Sequence, residues 1–392
     1  MFQYEPIYSD FGPIDLGQTF AFCKTVESML REEGEVTQYC STNAYSRSNA
    51  AYLMGAFQII VLRKNPEQAW RPFQQLPMPF ITFRDASPGA CSYKCTILHC
   101  LCAIYKAIQL EWFSYDSFDV SSYNNYSQME NGDINWIIPG KLMAFSSPSL
   151  QPRDEEGYRT FTPEDYVPHF LNFGVKTVIK LDGTDYDPSR FKRNRIEHID
   201  LSFRHMNLPP QNIYLAFIEA VEERNDAIAV HCKSGLGKTG MMIGLYAMKH
   251  YDITAQEFIA WCRICRPGSI IGPQQDFLID MEARCKNMKK KQDLLSVNTP
   301  KHYNDRRRFS STSPAKIKGY TFSSLAVTTL NTPYHKKSSA STTPAKWQNS
   351  LSPSPSAFRG SLTPILPSPS PFSYSKYYAP YLNKIKTNYN IV

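Results

Sequence analysis

The sequence predicts an α/β fold: two copies of one unit, each a central, largely parallel sheet flanked by helices, followed by a disordered tail. Three observations carry this expectation. Residues 162–290 alternate short apolar strands with amphipathic helices, the pattern of a buried parallel sheet whose site lies at the strands' C-terminal ends. Residues 1–118 repeat part of that pattern without its glycine-rich loop. From residue 291 the chain turns to Ser, Thr, Pro and Lys, too poor in apolar surface to offset the entropy of ordering.

In the first unit, Val36 to Tyr39 reads as a strand leading into Cys40. An apolar helix containing Gly55 follows from Asn49 to Leu62, and Asn65-Pro66-Glu67 starts another. The intervening residues 40–47 hold no glycine, so that backbone cannot wrap a phosphate closely. Residues 119–161 form a bridging segment, opening with a polar and aromatic stretch from Asp119 to Trp136. The second unit opens with a helix at Thr162-Pro163-Glu164. Strands follow near Thr177–Leu181 and Ile196–Leu201, then an amphipathic helix from Ile213 to Arg224 and a strand from Ala227 to Cys232. After the loop come an apolar helix, Met241 to Tyr251, and a helix capped by Thr254 with Glu257 three residues on. Gly55 to Asn65 and Gly244 to Thr254 are the same ten-residue step, which marks the internal repeat.

The net charge of +8 over 392 residues hides an asymmetry. Residues 291–392 carry fourteen Lys/Arg against Asp293 and Asp305, so the tail is +12 and the rest of the chain −4. A nucleic-acid-binding surface on the folded part is therefore not expected. No apolar run approaches the ~18 residues of a membrane span, and no signal peptide opens the chain. The ten cysteines are scattered among apolar residues, as in a reducing, intracellular compartment. Cys91, Cys95, Cys100 and Cys102 crowd together without His pairs at ligand spacing, and Cys262 and Cys265 read as packing residues. Neither a metal nor a cofactor is expected.

The chemistry is concentrated in residues 227–240, AIAVHCKSGLGKTG. A strand, a tight glycine-rich loop opening with Cys232, and a helix would aim backbone N–H groups of Lys233, Ser234, Gly235, Leu236, Gly237 and Lys238 at one point. That geometry binds a phosphate-sized dianion and lowers the pKa of a thiol at its centre. It is the ground plan of a cysteine-dependent phosphatase, whose signature is His-Cys, five residues, then Arg; Lys238 stands at the Arg position. A competing reading takes Gly237-Lys238-Thr239 as the end of a nucleotide-binding loop. That motif needs a glycine where Cys232 stands, and a nucleotide hydrolase is set aside.

Several stretches name a family. Asp10-Phe11-Gly12-Pro13, Asn49-Ala50-Ala51, Phe83 to Ser87, Met129 to Trp136, Pro139-Gly140-Lys141, the cysteine loop and Ile264 to Gln275 resemble the mitotic-exit dual-specificity phosphatases of the cell-division-cycle-fourteen family. The resemblance covers residues 1–290. It implies two tandem dual-specificity-phosphatase-like domains: a non-catalytic one over 1–118 whose start is shortened relative to the family, and a catalytic one over 162–290. It also implies residue roles. Cys232 is the nucleophile, Lys238 occupies the place of the phosphate-gripping Arg, Thr239 can bond the thiolate, and Gln274 and Gln275 orient the hydrolytic water. Leu201 to Pro209 aligns with the general-acid loop and puts His205 at the acid's position, where a protonated imidazole of ordinary pKa ~6.5 could donate a proton. Asp133 belongs to the groove for a basic residue downstream of the phosphosite, while Asn124 and Ser127 stand where the family has acids, which weakens that preference.

Lysine keeps the charge of arginine and loses its planar fork. Losing one well-placed transition-state donor costs ~10²–10³ in rate. Two expectations follow: a dual-specificity protein phosphatase of reduced activity on phospho-Ser/Thr-Pro and phosphotyrosine, or a pseudophosphatase that binds phosphoproteins without turnover. The resemblance implies substrates among cyclin-dependent-kinase targets, and residence in nucleus and cytoplasm, at spindle, centrosome or ciliary basal body. The Ser-Pro and Thr-Pro sites of the tail, from Thr299 to Ser370, suit proline-directed kinases.

Overall fold

The computed structural model describes residues 2–297 apart from 35, 77, 184 and 205–207. His205 and the tail beyond 297 thus lie outside the described residues. The first half is helical. Helices α1 (Leu16–Glu33), α2 (Ala44–Ile60), α3 (Pro66–Gln74) and α4 (Ile97–Gln109) are capped by Asp15, Asn43, Asn65 and Thr96, each side chain accepting from an N-terminal backbone N–H. The Asn65-Pro66 start matches the sequence expectation, whereas α2 begins five residues before Asn49.

The expected strand Val36–Tyr39 is not formed. Those residues are half-buried or exposed, Cys40 is exposed, and among the described residues no strand pairs with them. In residues 2–118 the β pairing among described residues is a single bridge between Phe83 and Cys95. Among its described residues, the first half forms no sheet of the kind that the internal repeat led one to expect.

Helix α5 (Val120–Tyr126) and a 3₁₀ turn (Met129–Asn131) lead into an unexpected hairpin, β1 (Ile134–Ile138) and β2 (Leu142–Ser146). The remaining elements are α6 (Pro163–Asn172), β3 (Val175–Lys180), α7 (Ser189–Lys192), β4 (Glu197–Asp200), α8 (Gln211–Glu222), β5 (Ala227–Cys232), α9 (Gly237–His250), α10 (Ala255–Cys265) and α11 (Pro273–Val297); they keep the expected order, with α7 and α11 added. The sheet order is β1-β2-β5-β3-β4, with β1 antiparallel to β2 and the other neighbours parallel. β5 is central and buried along its whole length, so its C-terminal end is where a site should form.

The sheet separates two apolar layers by the period-2 alternation of its strands. Ile228 and Val230 join Leu142, Ile179 and the helices α8–α10 in a core continuous with the first half. Ala227 and Ala229 face the opposite way, with Met143, Phe145, Phe170 and Val178 under α6. The halves are also bonded by polar groups. Ser92 Oγ donates to Asp276 Oδ2 at 2.8 Å, and Gly272 N donates to Asp85 Oδ2. No helix among the described residues is long and apolar enough to cross a membrane.

Candidate active site

β5 delivers Cys232 to the mouth of a loop that passes into α9 five residues later, at Gly237. Cys232 is 6% exposed. Gly235 has φ +63°, and a Cβ on it would lie 2.1 Å from the carbonyl oxygen of Phe145. No L side chain fits there. A Cβ on Gly237 would lie 2.8 Å from Gln274 Oε1, so the glutamine amide sits directly against the loop. The first N–H groups of α9 have no intrahelical acceptor and form the positive end of its dipole. Cysteine, loop and helix N-terminus thus converge on one thiol.

Lys233 is exposed, and its carbonyl accepts from Ser147 N at 3.2 Å. The side chain of Leu236 packs with Ile7 and Ala86 of the first half. Thr239 is buried, and its Oγ1 has no hydrogen-bond partner among the described residues. The hydroxyl is thus not bonded to the Cys232 sulfur here.

Lys238 is 4% exposed, and its ammonium is engaged by the protein itself. Nζ donates to Leu181 O at 3.0 Å and to Phe203 O, and it lies 4.3 Å from the centre of the Phe203 ring. Burial pushes its pKa down, and the nearby Cys232 and Asp182 draw it back up. The side chain therefore ties α9 to the end of β3 and to the segment leading toward His205.

Behind the cysteine, the His231 ring is fully buried. Its Nε2 is 2.7 Å from the Tyr186 hydroxyl, which is 2.8 Å from His198 Nε2. A phenol has one proton to donate, so one of these imidazoles must donate to the phenol oxygen. Burial depresses His231 to about 3, helped by His198, and depresses His198 to about 4, helped by Lys180. Both rings are neutral at neutral pH. Asp182 lies beside them, 6% exposed, with Oδ1 3.9 Å from His231 Nδ1.

The two glutamines part company. Gln274 Oε1 accepts from Ile271 N at 3.0 Å, which holds its amide over Gly237. Gln275 is 1% exposed and bound elsewhere: Oε1 accepts from Arg263 at 2.5 Å, and Nε2 donates to Asp85 at 3.3 Å and to Gly272 O at 3.0 Å. It braces the two halves, so of the pair only Gln274 keeps its amide against the cysteine loop.

Asp133 is not on a surface groove. It is 1% exposed, and its carboxylate is held in a two-point pair by Arg266, Nη1 to Oδ1 at 2.8 Å and Nη2 to Oδ2 at 2.6 Å. The reason is local: the 3₁₀ turn at 129–131 ends at Gly132 with φ 107°, and Asp133 follows with φ 51°, which turns its side chain in beneath the cysteine loop. Sequence reasoning assigned no role to Arg266 or Asp182. Asp182 follows the parallel strand next to β5, and position at that strand's C-terminal end was the available signal.

Two family models match the chain: "Dual specificity protein phosphatase, N-terminal half" over residues 1–107 and "Dual specificity phosphatase, catalytic domain" over 170–291. Human dual specificity protein phosphatase CDC14A is 44% identical over 285 residues, covering 71% of this chain and 48% of that protein. Mouse CDC14B is 43% identical over 281 residues, 71% of this chain and 58% of the relative. The tyrosine-protein phosphatase cdc-14 of Caenorhabditis elegans is 37% identical over 317 residues, 78% and 45% respectively. The chain spans about half the length of the relatives it matches. With its cysteine loop on the parallel sheet and its helical first half packed behind, the chain belongs to the CDC14 family of dual-specificity phosphatases.

Proposed function

We propose that this chain is a cysteine-dependent protein phosphatase of dual specificity, acting on phospho-Ser/Thr-Pro and phosphotyrosine proteins, with turnover slowed by its own substitutions. One observation carries the reading: Cys232 sits at the base of a glycine-shaped loop that runs into the N-terminus of α9. In the first step the thiolate attacks phosphorus. The S–P bond forms, the bond to the leaving oxygen breaks, and that oxygen takes a proton from the group at position 205. In the second step a water held by Gln274 attacks phosphorus, gives a proton back to the group at position 205, and the S–P bond breaks to leave phosphate and the Cys232 thiolate. The amides of residues 233–238 and the Lys238 charge hold the equatorial oxygens.

A second reading, a pseudophosphatase, is favoured by the Lys238 ammonium, which is bonded to the carbonyls of Leu181 and Phe203. The two readings separate on leaving group. An aryl phosphate needs little protonation, whereas a phosphoserine peptide needs an acid. Hydrolysis of the aryl substrate alone places the defect at His205; hydrolysis of neither places it at Lys238 and supports the binding module. Substrates among cyclin-dependent-kinase targets, proline-directed kinases acting on the tail, and residence in nucleus, cytoplasm, spindle, centrosome or basal body belong to the same proposal. The supports are the family and the tail's Ser-Pro and Thr-Pro sites.

A further inference from the structure

Arg266 has every one of its donors occupied beneath the cysteine loop. The side chain is 2% exposed. Nε donates to Gly235 O at 3.0 Å, and Nη2 donates to Ser234 O at 3.0 Å and to Asp133 Oδ2 at 2.6 Å. Nη1 reaches Asp133 Oδ1 at 2.8 Å, Asp133 O at 2.9 Å and Asn135 Oδ1 at 2.7 Å. A guanidinium has five N–H groups in a fixed fork, and this one spends two sides of the fork on the loop and the rest on residues 133 and 135. Gly235 permits the approach, since a Cβ there would lie 2.8 Å from Nη2.

The consequence follows from the planarity of the peptide bond. In a trans peptide, the carbonyl of one residue and the N–H of the next point in opposite directions. Drawing Ser234 O toward Arg266 turns the Gly235 N–H away from it, and drawing Gly235 O turns the Leu236 N–H likewise. Both N–H groups are thereby turned from the guanidinium. The amides of Gly237 and Lys238 need no such device, because the helical geometry of α9 aims them.

We propose that Arg266, anchored by Asp133, is a positioning residue that sets the direction of the Gly235 and Leu236 amides and so completes the oxyanion site of the Cys232 loop. Asp133 fixes the guanidinium in its plane, while Arg266 supplies the donors. An ammonium in its place has one nitrogen and cannot reach both loop carbonyls and both carboxylate oxygens. The inference rests on the reading of the loop as a phosphate cradle, and its test separates the two.

The test uses the full chain labelled with ¹⁵N at glycine and leucine, titrated with inorganic tungstate, a tetrahedral oxyanion, with each variant's thermal unfolding followed alongside. In the native chain the amide protons of Gly235, Leu236 and Gly237 should all move downfield together as tungstate saturates. In Arg266→Lys the tungstate concentration at half-saturation should rise at least ~10-fold. The Gly235 and Leu236 shifts should shrink while that of Gly237 persists. Asp133→Asn keeps the bonds to the loop carbonyls, so it should fall between the two and serves if the lysine variant does not fold. Native Gly235 and Leu236 amides that stay still while Gly237 moves would overturn the proposal. So would a folded Arg266→Lys chain with native shifts and native half-saturation. A native chain in which no loop amide responds to tungstate would overturn the cradle reading itself, and this inference with it.

Discussion

Lys238→Arg is the substitution whose outcome says most about the site. In the native chain Nζ is committed to Leu181 O, at 3.0 Å, and to Phe203 O, within a side chain only 4% exposed. To grip a phosphoryl oxygen, the ammonium must give up one of these carbonyls. A buried acceptor left without its donor costs ~1–3 kcal/mol, equivalent to roughly 5- to 150-fold in rate. Arginine removes the conflict, because five donors in a fork can keep a carbonyl and still present two N–H groups to the transition state. We expect kcat for p-nitrophenyl phosphate to rise at least ~10-fold in Lys238→Arg. Adding His205→Asp should give a larger further gain on a phosphoserine peptide than on the aryl substrate. The assay is steady-state release of nitrophenolate at saturating substrate, with thermal unfolding to confirm equal folding. A folded arginine variant no faster than the parent would refute the reasoning, because the fork would then add nothing to the grip.

Two further outcomes are expected. His231 is neutral in the fold, with burial depressing it to about 3, whereas the unfolded chain titrates near ~6.5. The unfolded state therefore binds more protons between these values. Stability should be undiminished by this group above about pH 6.5 and fall by about 1.4 kcal/mol per pH unit below it, read as the urea midpoint from pH 7 to pH 5; a midpoint that does not fall would contradict the burial argument. Phosphorylating the tail should change its charge by about −1.5 to −2 per site, so six sites would nearly cancel its +12. If the tail docks on the Cys232 loop, phospho-Ser-Pro peptide affinity should drop on phosphorylation of the full chain and not of a 1–290 truncation; equal affinities throughout would exclude such docking.

What was legible in the sequence was local. The capping residues Asn65, Thr162 and Thr254 and the Gly-rich loop declare themselves within a few residues, and the structure places helices and loop accordingly. What was not legible is set by partners far away in the chain. Val36 to Tyr39 has strand composition and nothing to pair with, so it forms none. The hairpin of β1 and β2 hides in two five-residue runs, beside a polar stretch that suggests a linker, and it exists because β5 offers an edge to Leu142–Ser146. Asp133 and Arg266 are 133 residues apart, and only the folded chain turns an apparent groove acid into an anchor under the loop. The head of Lys238 is likewise placed by the carbonyls of Leu181 and Phe203, which no local pattern announces.

On the proposed function, Cys232 takes up a phosphoryl group. Mixing the full chain with excess p-nitrophenyl phosphate and quenching in acid within milliseconds to seconds reads this directly, by nitrophenolate released per chain and by mass spectrometry of the Cys232 peptide. A burst approaching one nitrophenolate per chain and a phosphoryl adduct on Cys232 are expected, both absent in a folded Cys232→Ser variant. No burst and no adduct in the native chain, or turnover that survives Cys232→Ser, would contradict it.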